Sequence, residues 1–223
     1  YDHALDYYLS SLGYREVSGD KSEIADLLNN VAMIYKNMGN YPRSLEYYNQ
    51  ALEYFLELGN KTKYAATLNN IGNLYVKQHK NDAALEWLKK AYNLRRELND
   101  MQGLARSGLD IGQIFLNQKK FDAAFAYLNK ALEIATLLKN FELKRDAYFA
   151  MYQLAVKQRK HKLALSYHVH YVIWKDSVFN YETLRHLSKV QMQNETERRR
   201  IQLDYENKQK QREKYIRSRQ SIT

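Results

Sequence analysis

Sliding the sequence over itself by forty residues brings Leu27–Tyr35 (LLNNVAMIY), Thr67–Tyr75 (TLNNIGNLY), Gly108–Phe115 (GLDIGQIF) and Phe149–Ala155 (FAMYQLA) into register without a gap. A fixed internal period constrains a chain more than composition does. Each unit is one supersecondary element that cannot bury its apolar face alone, so neighbours must stack. A second set of columns follows: Ser44, Ala84, Ala124 and Ala164; Leu45, Leu85, Phe125 and Leu165; Tyr48, Leu88, Leu128 and His168; then Ala51, Ala91 and Ala131. Spacing at i, i+1, i+4 and i+7 puts them on one side of a helix. The pattern therefore predicts four helical hairpins, over about 23–62, 63–102, 103–142 and 143–180. One Pro and eight Gly leave too few turns for a sandwich or barrel.

Residues 1–20 carry the second-helix register, since Tyr1, Ala4, Leu5, Tyr8, Leu12 and Gly19 stand forty before Tyr41, Ser44, Leu45, Tyr48, Leu52 and Gly59. They read as the second helix of an incomplete repeat, and a fragment of a longer array is the expectation, because arrays end in capping helices. Gly39 and Gly59 suit the left-handed position after a helix, and Pro42 suits a first helical turn. Later turns read His79-Lys80-Asn81-Asp82, Lys119-Lys120-Phe121-Asp122 and Arg159-Lys160-His161-Lys162, where Asn81, Asp82 and Asp122 are expected to cap the following helix.

The run Asn70-Ile71-Gly72-Asn73-Leu74-Tyr75, then Ala84-Leu85, then Ala91, resembles the tetratricopeptide repeat signature of large apolar, small, aromatic, then two small residues. Gly72, Gly112 and Ala32 would admit the second helix closely, with Ala84 and Ala91 small on the other side. The resemblance covers residues 1 to about 180 and implies an all-α fold, an α-solenoid of forty-residue hairpins. The period exceeds the family's thirty-four, and the usual Pro near each repeat's end is missing. The fourth unit departs furthest, with Tyr152, Ala155 and Tyr171 at signature positions.

In such arrays the first helices line a concave groove. The resemblance places in it Asn29, Asn30, Met33, Lys36 and Asn37, then Asn69, Asn70, Asn73 and Lys77, then Arg106, Asp110, Gln113 and Asn117, then Gln153 and Lys157. Amides donate and accept, so this groove can take an extended peptide backbone without demanding one charge, or its amides bond within the array. Asn29 and Asp110 stand where the family's carboxylate clamp would need cations, which disfavours that ligand.

Most of the twenty Tyr fall in repeat columns, Tyr8, Tyr35, Tyr48 and Tyr75 at packing positions, so core packing accounts for them before base or sugar stacking does. His168 and His170 point to different faces of a helix and His161 lies about 10 Å from His168, so a shared metal is not expected. No Cys, no Ser–His–Asp motif and no Gly-rich phosphate loop is present, and neither an enzyme nor a cofactor is expected. Asn60-Lys61-Thr62 and Asn194-Glu195-Thr196 fit the short glycosylation pattern.

From about Asn180 the register fails, and 181–223 is expected to be one long charged helix. Leu184, Leu187, Ile201, Tyr205 and Tyr215 sit near a heptad seam, but polar residues fill it between Gln191 and Arg198. A dimeric coiled coil and a charged single helix both fit. From Thr183 onward eleven Lys and Arg oppose five Asp and Glu, so +6 of the net +10 lies there. A solvated face explains that excess more simply than a nucleic-acid arm through Arg198-Arg199-Arg200.

The order of parts, repeats ending in Lys175-Asp176-Ser177-Val178-Phe179-Asn180 and then a charged helix, resembles the sensor region of bacterial membrane-anchored tetratricopeptide signalling proteins. That resemblance implies a ligand- or peptide-sensing array on the extracytoplasmic side, a membrane segment beyond Thr223, and a histidine kinase or DNA-binding regulator as output. Lys214, Arg217 and Arg219 would then lie outside, against the positive-inside tendency. A cytoplasmic scaffold that assembles partner proteins is the alternative.

Overall fold

A computed structural model describes residues 2–220, with side chains placed over 3–14, 19–181 and at exposed positions up to 203. The described residues form nine helices. Eight have the same length of 17 residues: α1 (Asp2–Ser18), α2 (Lys21–Asn37), α3 (Tyr41–Glu57), α4 (Lys61–Lys77), α5 (Asn81–Glu97), α6 (Met101–Asn117), α7 (Phe121–Leu137) and α8 (Phe141–Lys157). The ninth, α9, runs 60 residues from His161 to Gln220. The second helix of the fourth hairpin and the charged helix are thus one uninterrupted element. The chain divides into two units, Tyr1–Trp174 and Lys175–Thr223.

Equal helices reflect a turn repeated every twenty residues. Gly19, Gly39, Gly59, His79, Asn99, Lys119, Lys139 and Arg159 all have positive φ. At each described helix end from Met38 on, the same bonds close the turn: Asn40 N–H donates to the Tyr35 carbonyl at 2.9 Å, and Lys120 N–H to that of Phe115 at 2.9 Å. This left-handed closure satisfies carbonyls that the helix leaves unpaired.

The residue after each left-handed one from Gly19 to Lys139 is the N-cap. Asp20, Asn40, Asn60, Asp100 and Asn140 accept there from backbone N–H groups of the first turn. This corrects the capping expectation for Asn81, Asp82 and Asp122. The cap positions are Lys80 and Lys120, which make no side-chain cap bond, while Asn81 is already the first residue of α5. Asp82 and Asp122 lie inside the first turn, where they complement the helix dipole. The Asn60 carboxamide of the glycosylation-like triplet is engaged as a cap, with Lys63 N–H 3.1 Å from its Oδ1; the Asn194 side chain lies outside the described ones. Lys80 (φ −90°, ψ 69°) already has the backbone of Asn60 (φ −81°, ψ 74°). Lys80→Asn is therefore expected to raise stability by about 1 kcal/mol, read as a higher urea midpoint with unchanged slope. An unchanged midpoint would show that the lysine stem already offsets the missing cap.

The small-residue columns do the work expected of them. A Cβ on Gly72 would lie 2.6 Å from Leu88 Cγ, and one on Gly112 would lie 2.5 Å from Leu128 Cδ2. In the first hairpin Ala32 and Tyr48 stand at these positions within one buried cluster, and Ser44 Oγ donates to the Ala32 carbonyl at 2.7 Å. Tyr35 and Tyr48 are buried and Tyr75 is half-buried, while Tyr8 is only partly covered. In the fourth hairpin α8 buries Leu143, Ala147, Met151, Leu154 and Ala155. Rings then join it to α9: Phe149 to Tyr171, Tyr152 to His168, Tyr148 to His170 and Phe141 to Trp174. His168 and His170 thus face different partners.

A candidate groove along the first helices

Successive helices pack as hairpins. In addition α2 touches α4, α4 touches α6 and α6 touches α8, whereas no such contact joins α3, α5 and α7 among the described residues. The first helices of the hairpins therefore stand closer together than the second helices, which puts α2, α4, α6 and α8 on the inner face of a curved stack.

Polar pairs stitch that face. Asn29 Oδ1 accepts from Asn70 Nδ2 at 3.2 Å and from Thr67 Oγ1 at 3.3 Å. Asp110 Oδ2 accepts from Asn69 Nδ2 at 2.9 Å and from Asn73 Nδ2 at 3.1 Å. Lys63 meets Asp26 at 2.6 Å, and Arg106 meets Asp146 at 3.1 Å. Arg145 also holds Asp146 at 2.8 Å. Sequence reasoning missed Asp26, Lys63, Thr67, Arg145 and Asp146; opposite charges at offsets of 37 and 40 residues were the signal that could have found Asp26, Lys63 and Asp146.

The fifteen groove candidates divide by exposure. Asn69 is buried (5% exposed) and is committed to the array, so it does not line an open groove. Its Oδ1 accepts from Arg95 Nη1 at 3.1 Å and from Ser107 Oγ at 2.6 Å. Asn29, Asn70, Asn73 and Asp110 are half-buried with their amides or carboxylate bonded as above. Asn30, Lys36 and Gln153 are half-buried, as is Gln113, which donates to Asn117 at 3.4 Å. Met33, Asn37, Lys77, Arg106, Asn117 and Lys157 are exposed. Burial pushes the Asp110 carboxyl up, against the lowering influence of Asn69, Asn73, Arg106 and Arg95. Burial also lowers Lys36, and Lys77 adds to this, with Asp110 opposing both. The face is thus a row of amides with exposed lysines at the C-terminal ends of α4 and α8 and the half-buried Lys36 at that of α2. It offers hydrogen bonds and positive charge. Among the described residues there is no group of three metal-ligating side chains, and Asp110, the one carboxyl raised, faces amides rather than a nucleophile.

Two tetratricopeptide repeat family models match the sequence, over residues 23–97 and 105–136. No curated protein matches it significantly. Among solved structures, a Rap protein complexed with competence and sporulation factor superposes with a TM-score of 0.69 at 20% identity, over 80% of this chain and 51% of that one. Aspartyl phosphate phosphatase F from Bacillus subtilis gives 0.68 at 20% identity, over 71% and 42%. BtubC from P. vanneervenii gives 0.62 at 17%, over 71% and 66%. The chain spans less than two thirds of the length of each. Forty-residue hairpins, small residues at the helix contacts, the stitched inner face and both family matches carry one conclusion: this chain belongs to the tetratricopeptide repeat family.

Proposed function

We propose that the array is a non-enzymatic binding module that takes an extended peptide or protein segment along α2, α4, α6 and α8, as the sensing part of a signal-transduction protein. The observation that carries this reading is the inner face itself. Asn30, Lys36, Gln113 and Gln153 are half-buried on the helices that form it, together with the amides fixed by Asn29–Asn70 and Asn69–Asp110. Fixed amides present donors and acceptors at small entropic cost, which suits a peptide backbone. The Rap protein of the same fold was crystallised with a named factor, which supports a ligand-binding use of this architecture.

In this reading α9 links the array to an output domain, either as a charged single helix or as a dimeric coil, with the array outside a membrane and a spanning segment beyond Thr223. No helix among the described residues is long and apolar enough to cross a membrane. The seam residues Leu184, Leu187, Ile201, Tyr205 and Tyr215 lie outside the described side chains, as do Lys214, Arg217 and Arg219. A photo-crosslinking amino acid placed at Met33 or Gln113 in the full-length protein is expected to capture a peptide or protein, while one at Asn93, on the exposed side of α5, is not. Equal capture at all three positions would remove the groove from consideration.

A further inference from the structure

Neighbouring first helices share a stripe in which residue i meets residue i+41: Asn29 meets Asn70, and Asn69 meets Asp110. Two turns further along α2 and α4, seven residues on from Asn29 and Asn70, the same register brings Lys36 and Lys77 near each other. The hydrogen-bonded and ion pairs named on this face are all complementary: amide with amide, amide with carboxylate, lysine with Asp26, arginine with Asp146. Lys36 with Lys77 is the exception. Neither lysine has a carboxylate within ion-pair distance among the described residues, and Lys36 is half-buried. The nearby carboxylate, Asp110, is occupied by two amides.

Helix C-termini account for a basic residue in each last turn, since Lys36 and Lys77 both complement a dipole. They do not account for two such residues brought to the same level of neighbouring helices with one of them drawn out of water. Like charges placed together without an intervening anion destabilise the free protein, and a ligand anion relieves that penalty. Lys77 acting on Lys36 in the same sense as burial agrees with this geometry.

We infer that Lys36 and Lys77 form an acceptor for a carboxylate side chain, so that the groove selects a peptide with Asp or Glu at the position lying over the ends of α2 and α4. This rests on the groove reading above. It differs from the family's carboxylate clamp, because Asn29 and Asp110 occupy positions that clamp would need and the two lysines lie two turns beyond the stripe's amides. A carboxylate bridging them receives two charge-assisted hydrogen bonds while Asn73 remains on Asp110.

Phage-displayed random dodecapeptides selected on the whole chain test it. The wild type is expected to enrich peptides with an acidic residue at one fixed position, and the Lys36→Glu/Lys77→Glu chain to enrich Lys or Arg at that position. Lys77→Gln is expected to weaken a selected acidic peptide by about tenfold or more. Binding that peptide should also raise the Lys36 pKa, followed by NMR of 13C-labelled lysine, a readout that a purely structural lysine would not move. Selected peptides that crosslink at Met33 yet show no acidic position, or an unchanged selection by the charge-reversed chain, would overturn the carboxylate acceptor and leave the groove standing. Peptides that bind without crosslinking at Met33 or Gln113, or no selection at all, would bring down both.

Discussion

Replacing Arg95 with alanine is expected to destabilise the middle of the array by about 3–5 kcal/mol, the cost of breaking a buried charged network by removing one partner. The forty-residue register places Arg95 in the column of Phe55 and Ala135, inside the stack, and it is 7% exposed. Its Nη1 reaches three acceptors: the Gly103 carbonyl at 2.8 Å, Ser107 Oγ at 2.6 Å and Asn69 Oδ1 at 3.1 Å. Its Nε lies 3.7 Å from Asp100 Oδ2. Burial lowers its pKa, with Asp100 and Asp110 opposing, but a guanidinium stays charged at any ordinary pH. Alanine would leave the Gly103 carbonyl without this donor, release Asn69 from one side, and open a void between α5 and α6. Arg95→Met keeps most of the stem volume, so it should lose about half as much and thereby separate packing from hydrogen bonding. Because Asn69 in turn holds Asp110 at 2.9 Å, the alanine variant should also loosen the groove, seen as faster hydrogen exchange in α4 and α6. A loss under 1 kcal/mol would mean that desolvating the guanidinium already cancels what its bonds contribute.

Arg95 also shows where sequence reading runs out. Charge assigns an arginine to the outside, whereas the spacing from Ala84, Leu88 and Ala91 and the column of Phe55 and Ala135 put position 95 on the buried face, and the two signals conflict. The signal lay in comparing repeats: Gly103 falls in a column with Glu23, Lys63 and Leu143, and a first-turn glycine where the other repeats carry long side chains marks something crowding it. A Cβ there would lie 2.1 Å from Asp100 Oδ2 and 2.7 Å from Arg95 Nε.

The forty-residue period was legible because packing columns repeat strictly. The twenty-residue turn was only half legible, since Gly marks it at 19, 39 and 59 but His79, Asn99, Lys119, Lys139 and Arg159 adopt the same left-handed backbone without advertising it. In a regular array the stacking of whole helices fixes that turn, and side-chain preference becomes secondary. Similar reasoning explains the groove. Its helices could be named from the repeat, but which amides face each other depends on the offset between neighbours, which no single repeat encodes. Asn69 and Asn73 look alike in the sequence, yet Asn69 is buried and bonded to Arg95 and Ser107 while Asn73 is half-buried, bonded to Asp110.

The second large effect is expected at the closest helix contacts. Gly72→Val should destabilise the second hairpin by about 2–4 kcal/mol, and Gly112→Val the third by a similar amount. At Gly72 the added Cβ would lie 2.6 Å from Leu88 Cγ, 2.8 Å from Leu88 Cδ2 and 3.3 Å from the Ala84 carbonyl. Leu88 is fully buried and the Ala84 carbonyl belongs to the helix backbone, so a branched side chain can be admitted only by moving α5 away from α4. Alanine differs in size of effect. It gains about 1 kcal/mol of helix propensity over glycine, which offsets part of the clash of its Cβ with Leu88, so Gly72→Ala should cost clearly less than Gly72→Val. Ala32 occupies this position in the first hairpin, where Tyr48 replaces the leucine. Shortening the opposing residue should rescue the larger one. In a double-mutant cycle Leu88→Ala is expected to cost less in the Gly72→Val background than alone, with a coupling of about 1–2 kcal/mol. Gly112 and Leu128 repeat the contact at 2.5 Å and 2.7 Å, so each hairpin serves as the other's control, and hydrogen exchange should place each loss in the hairpin that carries the substitution. Additivity in the cycle, or a valine variant as stable as the alanine one, would show that these helices are free to separate and that the glycine columns do not set their spacing.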